Sequence, residues 1–235
     1  AINEARRGIG AIVENPSIYL NMSAYDNLKQ QCILLGKDEK QILPTLKEVG
    51  LENLYYEKKK AGDFSLGMRQ RLGIAMALLG EPEFLILDEP MNGLDPAGIV
   101  GIRELILRLN RERGITFLIS SHILTELSLV ATKYGIISKG RLLKEITAEQ
   151  LHQECTKTTT FSAADPNALA ECIRSAFPES VMKRTNEGVS LLGDIDLNSI
   201  LTAILAENIK LLSINCSQTS IEEYYLSVIG GARNG

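Results

Sequence analysis

At 235 residues with 45% hydrophobic content, the chain carries enough apolar material for one large domain or two modest ones. A net charge of −4, a pI near 5.4 and the lack of a basic stripe interleaved with aromatics exclude a general nucleic-acid binder. No apolar run reaches bilayer-spanning length, and the opening AINEARRG lacks the apolar segment of a signal peptide.

The cysteines at 32, 155, 172 and 216 have neither metal-ligand nor disulfide spacing, so they are expected to be small core hydrophobes in a reducing cytoplasm. With only His122 and His152 present, no histidine-rich metal site is expected.

In chain order, GIGAIV at 8–13 reads as a short buried strand, and Pro16 then forces Asn15 to be extended or in a turn, leaving Glu14 where strand becomes loop. Residues 23–79 read as helical. Ser23 to Asp26 resembles a capping box, Leu28, Gln31, Cys32 and Leu35 mark a face, and Gly36 ends the helix. A second helix is expected at 38–49 with Gly50 as its stop, and a third within 51–60. The lysines at 58, 59 and 60 read as solvated surface. A loop with glycines at 62 and 67 leads into an apolar helix at 68–79.

FLILDEP at 84–90 runs four apolar residues into two carboxylates, as expected of a parallel strand covered on both faces with a site at its carboxyl end. NGLDP then turns into a helix over 97–113 that buries Ile99, Ile102, Ile106 and Leu109 before Gly114. The strand ITFLIS at 115–120 is equally apolar and ends in Ser120, Ser121 and His122. A helix near 123–131 precedes the strands YGIIS and RLLKEI, joined by a turn at Lys139 and Gly140. This alternation is that of an α/β layer.

Thr147 to Gln150 is a capping-box sequence, opening a linker helix to a second domain. Strands at 157–162, 180–184, 188–192 and 209–215, with helices at 166–176 and 195–207, follow a βαββαβ, ferredoxin-like order. A last helix starts at Ser220 with a second box ending at Glu223. No catalytic constellation occurs here, so this domain reads as accessory.

Adjacent carboxylates at a strand end suit phosphoryl transfer. One, Asp88, would hold magnesium, often through water, and the other, Glu89, would take a proton from water. Taken alone, the string is equally compatible with a strand that ends in a charged turn.

Four stretches in one order bear on that choice: the strand-end loop at Glu14, FSLGM at 64–68, FLILDEP with NGLDP, and SSH at 120–122. Together, over residues 8 to about 146, they resemble an ABC transporter ATPase, with closest similarity to the subfamily serving bacitracin and lantibiotic transport and resistance. The resemblance implies an α/β fold: a P-loop NTPase (RecA-like) core lacking its N-terminal strands, an α-helical subdomain, and a C-terminal α+β, ferredoxin-like domain. The implied divisions are 1–20, a core remnant with the Q-loop; 21–79, the helical subdomain with the signature loop; 80–146, the core; and 147–235, the accessory domain.

The same resemblance makes Asp88 the Walker B ligand of Mg2+, Glu89 the base for attacking water, and His122 the switch histidine at the γ-phosphate. Asn92, Gly93, Leu94 and Asp95 become the D-loop, which faces a second subunit. Phe64, Ser65, Leu66, Gly67 and Met68 stand where the family has LSGGQ, departing from it at Phe64, Leu66 and Met68. Ser65 and Gly67 remain, and a hydroxyl with backbone N–H groups at a helix start favours phosphate, here one held by the other subunit.

Glu14 takes the place of the Q-loop glutamine, as a metal-side carboxylate or an ordinary loop residue; unlike an amide it cannot donate. The implied cofactors are ATP and Mg2+. The implied partners are an integral membrane permease and a second ATPase subunit, identical or not, docked head to tail, with the whole peripheral on the cytoplasmic face of the plasma membrane.

The sequence contains no G-x-x-x-x-G-K-[ST] loop, because no Lys-Ser or Lys-Thr follows the glycines at 8 and 10. Two readings follow. One is an ATP hydrolase lacking its N-terminal segment. The other is a non-catalytic module lending signature and D-loop residues to another subunit's ATP, although Glu89 and His122 favour the first. The strand order implied by the family sets 8–13, 84–88 and 115–120 side by side, with a P-loop strand next, before 134–138. Without the phosphate cradle, the 235-residue chain alone is expected to bind ATP weakly in calorimetry and to release phosphate at buffer level; clear magnesium-dependent turnover would overturn this.

Overall fold

The computed structural model describes residues 8–14, 16–155, 157–193 and 195–231; the expectation for Asn15 lies outside them. The chain divides into two compact units, Ala1–Val130 and Ala131–Gly235. This boundary falls ahead of the expected domain boundary at 147, because the hairpin 133–147 shares a small core with the C-terminal helices.

In the N-terminal unit, β1 (Ile9–Ile12), β2 (Phe84–Asp88) and β3 (Thr116–Ser120) form a parallel sheet in the order β1-β2-β3, side by side as the family order implies. Among the described residues β3 pairs only with β2, and Leu118 is 56% exposed. The strands are not covered on both faces as their composition suggests. Leu85 and Leu87 are buried, whereas Phe84 and Ile86, which alternate with them, are half-buried. β1 departs further, with Ile9 45% exposed and Val13, just past its end, 69% exposed. The reason is one-sided packing: only the Leu85 and Leu87 face joins the core built with the helices.

The first helix, α1 (Ala24–Leu35), buries Leu28 and Cys32 and ends at Gly36, whose φ of 65° suits a left-handed cap. Its capping box is half made. Ser23 Oγ accepts from the Asp26 N–H at 3.1 Å, but the short Asp26 side chain accepts from that same hydroxyl at 2.7 Å, with no reciprocal backbone bond. The helix expected at 38–49 is a 3₁₀ turn, Glu39–Gln41, followed by α2 (Ile42–Glu48), and the third is only the 3₁₀ turn Glu52–Tyr55.

α3 (Leu66–Leu78) starts two residues earlier than expected, with Ser65 as its N-cap. α4 (Pro96–Arg113) runs from its Asp95 cap to Gly114 and buries Ile102, Leu105, Ile106 and Leu109, leaving Ile99 half-buried. α5 is only Leu124–Leu127, where a longer helix over 123–131 was expected.

In the C-terminal unit, β4 (Lys133–Ser138) and β5 (Arg141–Thr147) pair antiparallel through Lys139 and Gly140, with φ of 48° and 74°. Thr147 and Gln150 form the full reciprocal box that starts α6 (Ala148–Glu154). Ile136, Ile146, Leu151, Cys155 and Tyr224 make the small core of this region. Tyr224 belongs to α9 (Ile221–Gly231), itself preceded by a second reciprocal box between Ser220 and Glu223.

Between these lie β6 (Lys157–Ala163), α7 (Pro166–Ala176), β7 (Val181–Thr185), β8 (Gly188–Leu192), α8 (Leu197–Ala206) and β9 (Leu211–Gln218). Their antiparallel sheet has the order β7-β8-β6-β9, the ferredoxin-like arrangement expected from the βαββαβ pattern. Phe161, Val189 and Leu191 pack with Leu169 and Ile173 of α7 and Ile200 and Ile204 of α8. The cysteines correct one expectation: Cys32 and Cys155 are buried and Cys172 half-buried, but Cys216 is exposed because β9 is an edge strand.

Phe161 is fully buried, so Phe161→Ala should cost about 3–5 kcal/mol. Denaturant unfolding followed by hydrogen exchange in the β6 and β8 peptides should show the loss there; unchanged exchange would count against this core.

Candidate functional site

The site is built where β2 and β3 end. Asp88 lies opposite Ser120 in the parallel register, which brings a carboxylate and a hydroxyl side by side. Ser120 Oγ donates to Asp88 Oδ1 in a short hydrogen bond. The Glu89 N–H is shared between Ser120 Oγ at 3.0 Å and the Ser120 carbonyl at 3.1 Å. One serine therefore fixes both the Asp88 side chain and the backbone of Glu89.

The next residue turns sharply: Glu89 has φ of 47°, a left-handed conformation disfavoured for a side chain of this kind. Its carboxylate Oε2 lies 2.8 Å from His122 Nδ1 and accepts more weakly from the His122 N–H at 3.4 Å. In a neutral ring facing a carboxylate, Nδ1 carries the proton and Nε2 is left as an acceptor. His122 is 64% exposed, so its far edge is accessible to a ligand.

The loop after Glu89 closes through the Asn92 N–H to the Glu89 carbonyl at 3.1 Å and passes Gly93 at φ 72°. Asp95 then caps α4, its Oδ1 accepting from the Gly98 N–H at 3.1 Å, with Pro96 pre-set at the first helical position. A side chain on Gly93 would lie 3.3 Å from Leu66 Cδ2, so 92–95 packs against 64–68 of the same chain. Within 64–68, Phe64 is buried and anchors the loop, Leu66, Gly67 and Met68 are half-buried, and Ser65 is exposed. Ser65 Oγ accepts from the Met68 N–H at 3.2 Å, which leaves its hydroxyl proton for an outside acceptor.

Glu14 also lies just past a strand end and has φ of 50°. Because Ile12 pairs with Leu87 in a parallel register, Glu14 leaves the sheet at the same end as Glu89. Its carboxylate makes no hydrogen bond or ion pair among the described residues. Its backbone is held instead, as the carbonyl accepts from Gln70 Nε2 at 3.3 Å. A Cβ on Gly73 would fall 2.3 Å from Pro16 Cβ, so α3 gives up a side chain to let the loop after Glu14 pack closely.

Ser120, read in the sequence only as part of the SSH stretch, and Gln70, not singled out there, are the side chains that the structure ties to Asp88 and Glu89 and to the Glu14 backbone. A serine opening a polar cluster at a strand end and a buried glutamine in an apolar helix were the available signals.

Among the described residues no three His, Cys, Asp or Glu side chains gather as a self-sufficient metal site. The arrangement suits a hard cation that brings its own phosphate ligands, since Mg2+ asks for only one or two carboxylates. Asp88, oriented by Ser120, is a carboxylate that could hold it.

Residues 1–92 match the ABC transporter family. The chain is 40% identical to the bacitracin transport ATP-binding protein BcrA of Bacillus licheniformis, over 99% of this chain and 76% of the relative. It is 50% identical to the lantibiotic transport ATP-binding protein SrtF of Streptococcus pyogenes, over 59% of each. Among solved structures, cbiO1 of Clostridium perfringens, part of the ABC transporter complex cbiONQ, aligns with a TM-score of 0.58 and 26% identity, covering 75% of this chain and 67% of that one. With the ordered site residues at the ends of β2 and β3 and likeness over nearly the whole chain, this protein belongs to the ABC transporter ATP-binding family.

Proposed function

We propose that this subunit couples ATP hydrolysis to transport by a membrane permease, with bacitracin- or lantibiotic-type antimicrobial peptides as the cargo class. The observation that carries the hydrolytic part is the joined group Asp88, Ser120, Glu89 and His122 at the carboxyl end of the parallel sheet. The cargo class is supported by similarity to BcrA and SrtF. Among the described residues no helix is long and apolar enough to cross a membrane, so the reading places the membrane passage in a partner permease and this subunit peripherally on its cytoplasmic side.

Bound Mg2+·ATP supplies a charge-neutralised γ-phosphoryl group. Toward it, Asp88 would hold the cation, with its Oδ1 tied by Ser120 so that the carboxylate is restrained from rotating. Glu89 is the base that polarises and deprotonates the attacking water. His122 keeps Glu89 oriented through Nδ1 and offers Nε2 to the γ-phosphate, where a protonated ring donates. Glu14, at the same end of the sheet, is the metal-side or permease-sensing carboxylate.

Ser65 and Gly67 open α3 toward a phosphate held by the second subunit, where the helix N-terminus favours negative charge. Asn92, Gly93, Leu94 and Asp95 present the adjoining face, and residues 147–235 serve as the accessory domain.

In the transporter carrying this chain, Glu89→Gln should retain nucleotide while turnover falls roughly 10²–10⁴-fold, about 3–5 kcal/mol of barrier. Phosphate release and nucleotide binding measure the two separately, and near-normal turnover would remove Glu89 from the role of base. Ser65→Arg should leave the chain folded but block ATP-driven dimerisation; unchanged dimerisation by light scattering, with hydrolysis disabled, would count against head-to-tail docking.

A further inference from the structure

The segment that presents His122 is held by few contacts with the body of the unit. It follows β3, whose last residue Ser120 is fixed to β2, and it runs into α5, which has four residues and buries none of them. So short a helix has no stability of its own and takes its place from what it is attached to. Val130 packs the segment's far end against the core, and the helix itself is tied by an ion pair: Arg103 Nη1 of α4 lies 2.9 Å from Glu126 Oε2 of α5. The two side chains are only 22% and 26% exposed, so the pair is less screened than the surface pairs of this chain. Ile102, beside Arg103, is fully buried, which fixes the helix that carries the cation.

We propose that Arg103 is a positioning residue for the hydrolytic reaction. By holding Glu126 it sets the α5 turn, and thereby the reach of His122 Nδ1 to the Glu89 carboxylate. The inference rests on the roles proposed above for Glu89 and His122. Its particular content is that His122 is aimed from α4, the helix that Asp95 caps. The loop expected to face the second subunit and the cation that sets the switch histidine thus sit on one rigid element.

The test reads the ring itself. The chain has two histidines, so ¹⁵N-histidine spectra resolve His122 from His152. At a pH where both rings are neutral, His122 should be held as the Nδ1–H tautomer by Glu89. Arg103→Met and Glu126→Gln should each shift it to the Nε2–H form, and the exchanged pair Arg103→Glu with Glu126→Arg should restore it. Arg111→Met, which removes an exposed pair with Glu112 on the same helix, should change nothing.

In the assembled transporter, Arg103→Met should lower turnover at saturating ATP by up to roughly 10²-fold with little change in KM for ATP. Adding His122→Ala to it should cost no more than His122→Ala alone. An unchanged His122 tautomer in a folded Arg103→Met chain, or additive losses in the double variant, would overturn the proposal. If the ring moves as expected but Glu89→Gln still turns over normally, the strut stands and the role given to Glu89 falls.

Discussion

Everything in the site hangs on the pairing of β2 with β3 in parallel register. Parallel strands place their carboxyl ends together, and the offset that sets Phe84 opposite Thr116 also sets Asp88 opposite Ser120. A slip of one residue would turn Ser120 away from Asp88 and exchange the buried Leu85 and Leu87 for their half-buried neighbours. The register is therefore enforced by apolar burial along the strands and used by polar groups at their ends. The core holds the chemistry in place through the backbone, without touching it.

The helices extend this frame. α3 begins at the Ser65 cap and, one turn later, uses buried Gln70 and the bare backbone of Gly73 to hold the segment around Glu14. α4 begins at Asp95 and ends in contact with the helical region, where Arg113 pairs with Glu48 at 3.2 Å. Each helix therefore starts at one of the two adjoining loops, 64–68 or 92–95, and packs its body in the core.

What was legible in the sequence divides along physical lines. Strands β2 and β3, the caps at Thr147 and Ser220, the Gly36 and Gly114 stops and the βαββαβ order could be read because each depends on local chemistry or a short period. Burial was misread at Ile9, Val13 and Leu118 because an apolar run signals that a strand is to be covered, and cannot say what covers it. The helices expected at 51–60 and 123–131 shrank to single turns, since apolar residues at helical spacing also arise where a loop drops anchors such as Leu54 and Val130 into a neighbouring core. At the site, Asp88, Glu89 and His122 were named from type and order, but the hydroxyl of Ser120 that binds two of them together is a matter of register, which residue types do not disclose.

The two glutamates that follow the ends of β1 and β2, Glu14 and Glu89, sit in left-handed backbone. Glycine would adopt that geometry freely, while a glutamate held there costs of order 1–3 kcal/mol. The fold thus carries a standing tension at the two positions where an acidic side chain leaves the sheet. Replacing either glutamate by glycine would relax the backbone of its turn and at the same time remove the carboxylate that the turn aims out of the sheet.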